Sequence, residues 1–137
     1  MPNLIKPAYT FLFALLTLLL SGLACSFSAS TANIGDAWMS TDEAGNSRTT
    51  VFGPDAIFFA QVDLKNAPDD TMVKVVWIAV EVDGTEPNFQ MNETELQSGD
   101  GVLLFRLSND GLWPQGKYRA DIYLNGALAQ SLTFEVR

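Results

Sequence analysis

From residue 33 to the end of the chain, apolar and polar positions alternate with a period of two. Turn residues interrupt the alternation roughly every ten positions, the spacing of short strands in an all-β domain. Ile57–Leu64 is the clearest case. Phe58, Ala60, Val62 and Leu64 share one face there, while Gln61 and Asp63 fall on the other. Val102–Ser108 repeats the pattern with Leu103, Phe105 and Leu107. In Tyr118–Leu124, Tyr118, Ala120, Ile122 and Leu124 point inward, and Lys117, Arg119 and Asp121 point to water. Ala129–Val136 turns Leu132, Phe134 and Val136 inward. Met72–Val82 is longer and almost continuously apolar, with Trp77 in its middle. Ile34–Ser40 is a weaker strand, and Arg48–Phe52 resumes extended structure after it.

The breaks between these runs have a physical basis. Asp42–Asn46, Gly53-Pro54-Asp55, Asn66–Thr71, Asp83-Gly84 and Asn109-Asp110-Gly111 combine residues that tolerate positive φ or fix a turn. Asn125-Gly126 is the strongest hairpin signal, because a type I′ turn needs positive φ at both central residues. Phe89–Met91 reads as a short edge strand. Asn92–Gly101, which lacks apolar alternation, reads as a loop or a single helical turn. About seven short strands with no helical period specify an antiparallel sandwich or barrel.

Three features narrow that choice. Trp77 lies mid-strand in the third strand position, Trp113-Pro114-Gln115-Gly116-Lys117 leads into a strand, and Tyr118 opens it. Together they resemble the immunoglobulin-like sandwich across nearly all of residues 34–137. The resemblance implies a tryptophan buried between the sheets and a tyrosine corner, in which the Tyr118 hydroxyl bonds backward to main chain. Ala120 stands where antibody-type domains carry their second cysteine, and Ala60 or Val62 stands at its partner position. The likeness is therefore to bridge-free, fibronectin-III-like sandwiches. The expected fold class is all-β: a single immunoglobulin-like antiparallel β-sandwich of about seven strands, preceded by a signal peptide and a short tether.

The N-terminal segment obeys a different pattern. Ala8–Leu20 is an apolar run preceded by Lys6 and followed by Ser21-Gly22-Leu23-Ala24-Cys25, as in a secretory signal peptide. A spanning helix needs roughly 20 apolar residues, and this run is short for one. Ala24-Cys25 resembles the lipobox of bacterial lipoproteins, whose cysteine is acylated and becomes the first mature residue. Gly22 departs from that pattern, and Gly22-Leu23-Ala24 also satisfies the small-x-small rule of ordinary signal cleavage. The lipoprotein resemblance implies residues 1–24 as signal peptide, 25–32 as lipid-attachment cysteine and Ser/Ala/Thr-rich tether, and 33–137 as the sandwich. It also implies an extracytoplasmic address in the bacterial cell envelope, held to a membrane through lipid on Cys25.

Composition excludes several kinds of function. Eight Lys and Arg stand against sixteen Asp and Glu, a formal charge of −8, and removal of residues 1–24 takes Lys6 away to leave −9. That sign repels phosphate backbones, so no nucleic-acid partner is expected. It also leaves membrane attachment to the lipid itself. The chain has no histidine, which removes triad and dyad nucleophiles, His-ligated zinc and the usual neutral-pH base. Its one cysteine cannot form an internal disulfide. The acidic turns at Asp69-Asp70, Asp83–Glu86, Glu93–Glu95 and Asp100 lack EF-hand spacing and read as solvated loops. No catalytic residue, metal site or cofactor is expected.

Binding is the remaining class. With Trp77 inward, Val76, Ile78 and Val80 project from the opposite side of their strand, beside Tyr123 of a neighbouring one. An apolar stripe on the outside of an antiparallel sheet is unusual, because such sheets normally alternate cleanly. Val76, Ile78, Val80 and Tyr123, with the Asp83–Asn88 turn and Phe89 at the rim, form a candidate face for an unknown protein or glycan partner. Pro87–Asp100, folded across that sheet with Phe89 and Met91, is the alternative account of the stripe. A structural subunit of a cell-envelope assembly is the alternative function.

Overall fold

The alternating segments pair into two facing sheets. The computed structural model describes residues 30–137; the segment expected to be the signal peptide, Cys25, and the expected tether up to residue 29 lie outside the described residues. In chain order the strands are β1 (Asn33–Ser40), β2 (Val51–Phe52), β3 (Phe58–Lys65), β4 (Thr71–Val82), β5 (Phe89–Ser98), β6 (Gly101–Leu107), β7 (Gly116–Leu124) and β8 (Ala127–Val136). A three-stranded sheet runs β1-β3-β6, and a five-stranded sheet runs β2-β8-β7-β4-β5. Neighbours are antiparallel, except that β2 lies parallel to β8 through Val51↔Glu135 and Phe52↔Val136. The two extended stretches at the start of the domain thus divide between the sheets. The Thr31 hydroxyl donates to the Asn66 carbonyl at 2.7 Å, so the chain already contacts the sandwich ahead of β1.

The inward positions are those the alternation marks. Phe58, Ala60, Val62 and Leu64 of β3 meet Val73, Val75, Trp77 and Ala79 of β4 across a dry interior. Phe105 and Leu107 of β6, Tyr118, Ala120 and Ile122 of β7, and Phe134 and Val136 of β8 complete the core. Phe58 is its hub. Its ring centroid lies 4.4 Å from Trp113, 4.8 Å from Phe134 and 5.0 Å from Phe52. Each such aromatic pair contributes about 0.5–1.5 kcal/mol beyond its buried area. The Trp77 indole N–H is buried and has no hydrogen-bond partner among the described residues.

The corner has the geometry that the resemblance implies. Tyr118 Oη donates to the Pro114 carbonyl at 2.6 Å. Trp113 closes the same end of the sandwich, its indole N–H donating to the Ala56 carbonyl at 2.8 Å and its backbone N–H to the Pro54 carbonyl at 2.7 Å. Burial, and then the negative charge of Asp83, raises the Tyr118 phenol above its ordinary pKa of 10.0. At the hairpin, Asn125 and Gly126 take φ of 48° and 84°, both positive as a type I′ turn requires.

Three expectations are corrected. Asn92–Gly101 is neither loop nor helical turn: residues 89–98 form one strand, β5, paired with β4 from Thr71↔Ser98 to Ala79↔Phe89. With β2 also paired, there are eight strands. Residues 87–100 therefore do not fold over the outer stripe; they extend the sheet sideways. Asp121, expected in water, is buried at 5% exposure, and so is Gln61, on the face opposite the β3 core residues, at 1%. In each case a neighbouring polar group replaces the solvent that the sequence pattern leads one to expect.

Candidate binding face

The two sheets treat their outer faces differently. On the three-stranded sheet, Trp38, Ser40, Phe59 and Gln61 point away from the core, as Trp38↔Gln61 and Ser40↔Phe59 are cross-strand pairs and such pairs share a face. The chain between β1 and β2 lies on them. Gln61 Nε2 donates to the Asp42 and Glu43 carbonyls at 3.3 and 3.1 Å, while Gln61 Oε1 accepts from the Ser40 hydroxyl at 3.0 Å. Trp38 Nε1 donates to the Gly45 carbonyl at 2.9 Å, and the Arg48 guanidinium stacks 4.0 Å from the Trp38 ring centroid. At Gly45, φ is +74°, and a Cβ would stand 3.0 Å from both Trp38 Nε1 and Gln61 Cδ. Only glycine lets the loop settle this closely. Under the loop this face is sealed, while Leu104 and Val102 of β6, opposite Gln61 and Asp63 and so on the same side, stay exposed at 36% and 56%.

Among the described residues no such cover lies on the outer face of the five-stranded sheet, where the contacts that shield it come from within the sheet. Val76, opposite Asp121 on β7 and Glu93 on β5, is only 6% exposed. Ile78 lies opposite Arg119 and Gln90 and is half-buried, as are Val80 and Tyr123. Asp121 accepts two hydrogen bonds from Arg119, Nε at 2.7 Å and Nη2 at 3.1 Å, and a third from the Ser131 hydroxyl at 2.7 Å. The Lys74 ammonium lies 4.8 Å from the Tyr123 ring centroid, a cation–π contact. Beyond Val80 the face dips into a groove of about 350 Å³ lined by Thr50, Lys117, Arg119, Thr133 and Glu135.

Val76, Ile78, Val80 and Tyr123 thus come off one side of the sheet. Phe89 does not join them. It pairs with Ala79, a core position, so its side chain leaves the β5 edge on the core side, 49% exposed. The sequence reading also missed Lys74, Arg119 and Asp121 as members of the face. The signal was available: Arg119 and Asp121 are two residues apart on a strand, and therefore neighbours on one surface. Trp113 belongs to the end of the core, and Trp38 to the sealed face. Among the described residues no three or more of His, Cys, Asp and Glu gather to hold a metal.

No protein-family model and no curated protein matches the sequence. Among solved structures, an immunoglobulin-like protein from Pseudomonas aeruginosa aligns over 80% of this chain and 100% of its own, with a TM-score of 0.53 and 15% identity. The chain folds as an immunoglobulin-like sandwich. The alkylpurine DNA glycosylase AlkC of Pseudomonas fluorescens aligns over 80% of this chain with a TM-score of 0.52 and 15% identity, but over only 31% of the glycosylase. Likeness at these identities is a likeness of fold, and one sandwich architecture serves many unrelated functions.

Proposed function

We propose that the chain is a non-catalytic, lipid-anchored extracytoplasmic module that binds a partner through the outer face of its five-stranded sheet. The difference between the two outer faces is the ground for it: the chain's own loop covers Trp38 and Gln61 on one, whereas among the described residues the other is left to side chains within its sheet. Ile78 and Val80 supply apolar area whose burial is worth roughly 25 cal/mol per Å². Lys74 and Arg119 offer donors beside them. A protein surface fits this mixture better than a glycan, because aromatic platforms for sugar stacking are scarce. The Trp38 ring is covered by Arg48, Trp113 is packed on Phe58, and only the half-buried Tyr123 ring belongs to the face. Lipid on Cys25 would hold the face near a membrane, where weak contacts gain effective concentration.

The intact mass of the chain recovered from the membrane fraction tests the anchor. A mass beginning at Cys25 with diacylglycerol added is expected. An unmodified chain beginning at or after Cys25 removes the display mechanism, and a full-length mass makes residues 8–24 an anchor instead. A photo-crosslinker at Ile78, compared with one at Glu43 on the sealed face, tests the surface. Crosslinks to a membrane-fraction protein from position 78 alone are expected. Equal yields from both positions would reject the face.

A further inference from the structure

The five-stranded sheet ends in β5, and nothing among the described residues pairs with its outer edge. We propose that this edge takes up an extended basic segment of a partner protein as a sixth strand. The proposal goes beyond the outer-face reading and does not depend on it.

β5 is ten residues long and pairs with β4 along almost its whole length, yet every one of its residues is exposed or half-buried. In an antiparallel ladder alternate residues turn their N–H and C=O groups away from the paired neighbour, so about five residues of β5 offer both groups to a further strand. The other edges are shorter or occupied. β1 has eight residues with a bulge between Ile34 and Asp36, β8 is met by β2 at Glu135 and Val136, and β6 has seven residues. β5 has its own bulge at Met91, where Trp77↔Asn92 is followed by Ile78↔Gln90, and runs regularly over residues 92–98. A long unguarded edge is a template for strand addition.

The charges on β5 say which strand. Glu93 and Glu95 lie opposite Val76 and Lys74, on the outer side of the sheet. Lys74 is the cross-strand neighbour that would neutralise Glu95. Its ammonium instead leans to the β7 side, over Tyr123. No side chain from Phe89 to Gln97 makes a hydrogen bond or ion pair among the described residues. Both carboxylates therefore face solvent uncompensated, in a chain whose net charge is −8. On the other side of the strand, Leu96 and Phe89 are exposed apolar groups. The complementary strand alternates: Lys or Arg opposite Glu93 and Glu95, apolar residues opposite Leu96 and Phe89. A second copy of this chain fits badly. Antiparallel self-pairing centred on Thr94 would set Glu93 of each copy against Glu95 of the other, and like charges directly opposite are destabilising.

The test uses the full chain in detergent and a synthetic ten-residue peptide alternating Lys and Val, followed by hydrogen exchange. Slowed exchange across residues 89–98 is expected, with binding weakened by salt. The Glu93→Gln/Glu95→Gln double variant should bind about ten-fold more weakly and with less salt dependence. Two versions of the peptide, N-methylated on opposite sets of alternate amides, carry the same charge, but only one set can face β5. One version should lose affinity by about ten-fold or more while the other keeps it. Equal binding of the two versions, protection confined to other segments, or no binding at all would overturn the proposal. Ile78→Ser should leave peptide binding unchanged, which separates failure at the edge from failure of the outer face.

Discussion

The outer faces of the two sheets begin alike and end differently. Each carries apolar side chains and one buried polar hub, Gln61 on the three-stranded sheet and Asp121 on the five-stranded one. Gln61 reaches out of its sheet to main-chain carbonyls of a loop, and so fastens a cover. Asp121 is satisfied by Arg119 and Ser131, both within its own sheet, and fastens nothing above it. A neutral amide, with donors and an acceptor, can bind backbone of either kind; a carboxylate only accepts, and needs a cation. The difference teaches how a small sandwich can cover part of one surface with its own loop and leave the other uncovered while burying polar groups on both.

The largest expected effect removes what both faces rest on. Trp77→Ala empties the space between the sheets and should cost about 3–5 kcal/mol in urea unfolding. Trp77→Phe, which deletes an indole N–H that has no partner among the described residues, should cost markedly less. Equal losses would mean the indole nitrogen is satisfied in solution.

The sealed face breaks next. Gln61→Ala leaves the Glu43 carbonyl without its donor, while the Asp42 carbonyl and the Ser40 hydroxyl keep their 2.7 Å bond to each other, at a cost of about 2 kcal/mol. Hydrogen exchange should speed up at Thr41–Ser47 and stay unchanged along β4. Uniform acceleration across both sheets would mean that the loop is no separate cover.

Alkaline pH probes the corner that both sheets share. The folded-state pKa of Tyr118 is raised above 10.0 by burial and by Asp83. Below pH 10 the phenol is protonated in both states, and stability does not depend on it. Above pH 10 the unfolded phenol ionises first, so the unfolded state binds fewer protons and stability falls as pH rises. Thermal melts from pH 9 upward should show this fall, and Tyr118→Phe should flatten it.

The open face should prove cheap to alter. Ile78→Ser at its half-buried position is expected to cost about 1 kcal/mol or less by urea unfolding, while abolishing the crosslink from a photo-crosslinker moved to Val80. A loss as large as that of Gln61→Ala would show Ile78 to be core. The smallest effect belongs to Glu43, whose carboxylate lies 3.7 Å from Arg106 with both side chains more than half exposed. Glu43→Gln should change stability by less than about 0.5 kcal/mol. The cover is held by backbone hydrogen bonds, which that substitution keeps.

Much of the domain was legible in the chain because its strands alternate. The inward sets of β3, β7 and β8 follow the pleat residue by residue, and Asn125-Gly126 turns as its positive φ values demand. The corner was legible too, since one hydroxyl bonding to a carbonyl four residues back is a local event. β5 was not. Apart from Leu96, residues 92–97 are polar on both sides, and the segment is a strand because β4 offers it a ladder. The candidate face was half legible. Val76, Ile78, Val80 and Tyr123 followed from alternation, whereas Phe89 fell on the other side because its register with Ala79 is set only by pairing.

The sequence by itself determined which strands have an inside, where the chain turns, and that no cysteine bridge joins the sheets. Periodicity and turn chemistry are local properties, and each residue carries its own share of them. Tertiary structure alone decided which outer face would be covered. A loop closing over Gln61, a lysine leaning toward Tyr123 rather than Glu95, and a polar strand left at a sheet edge depend on neighbours far away in sequence. Burial and pairing are properties of the assembled sheets, and only there do they take a value.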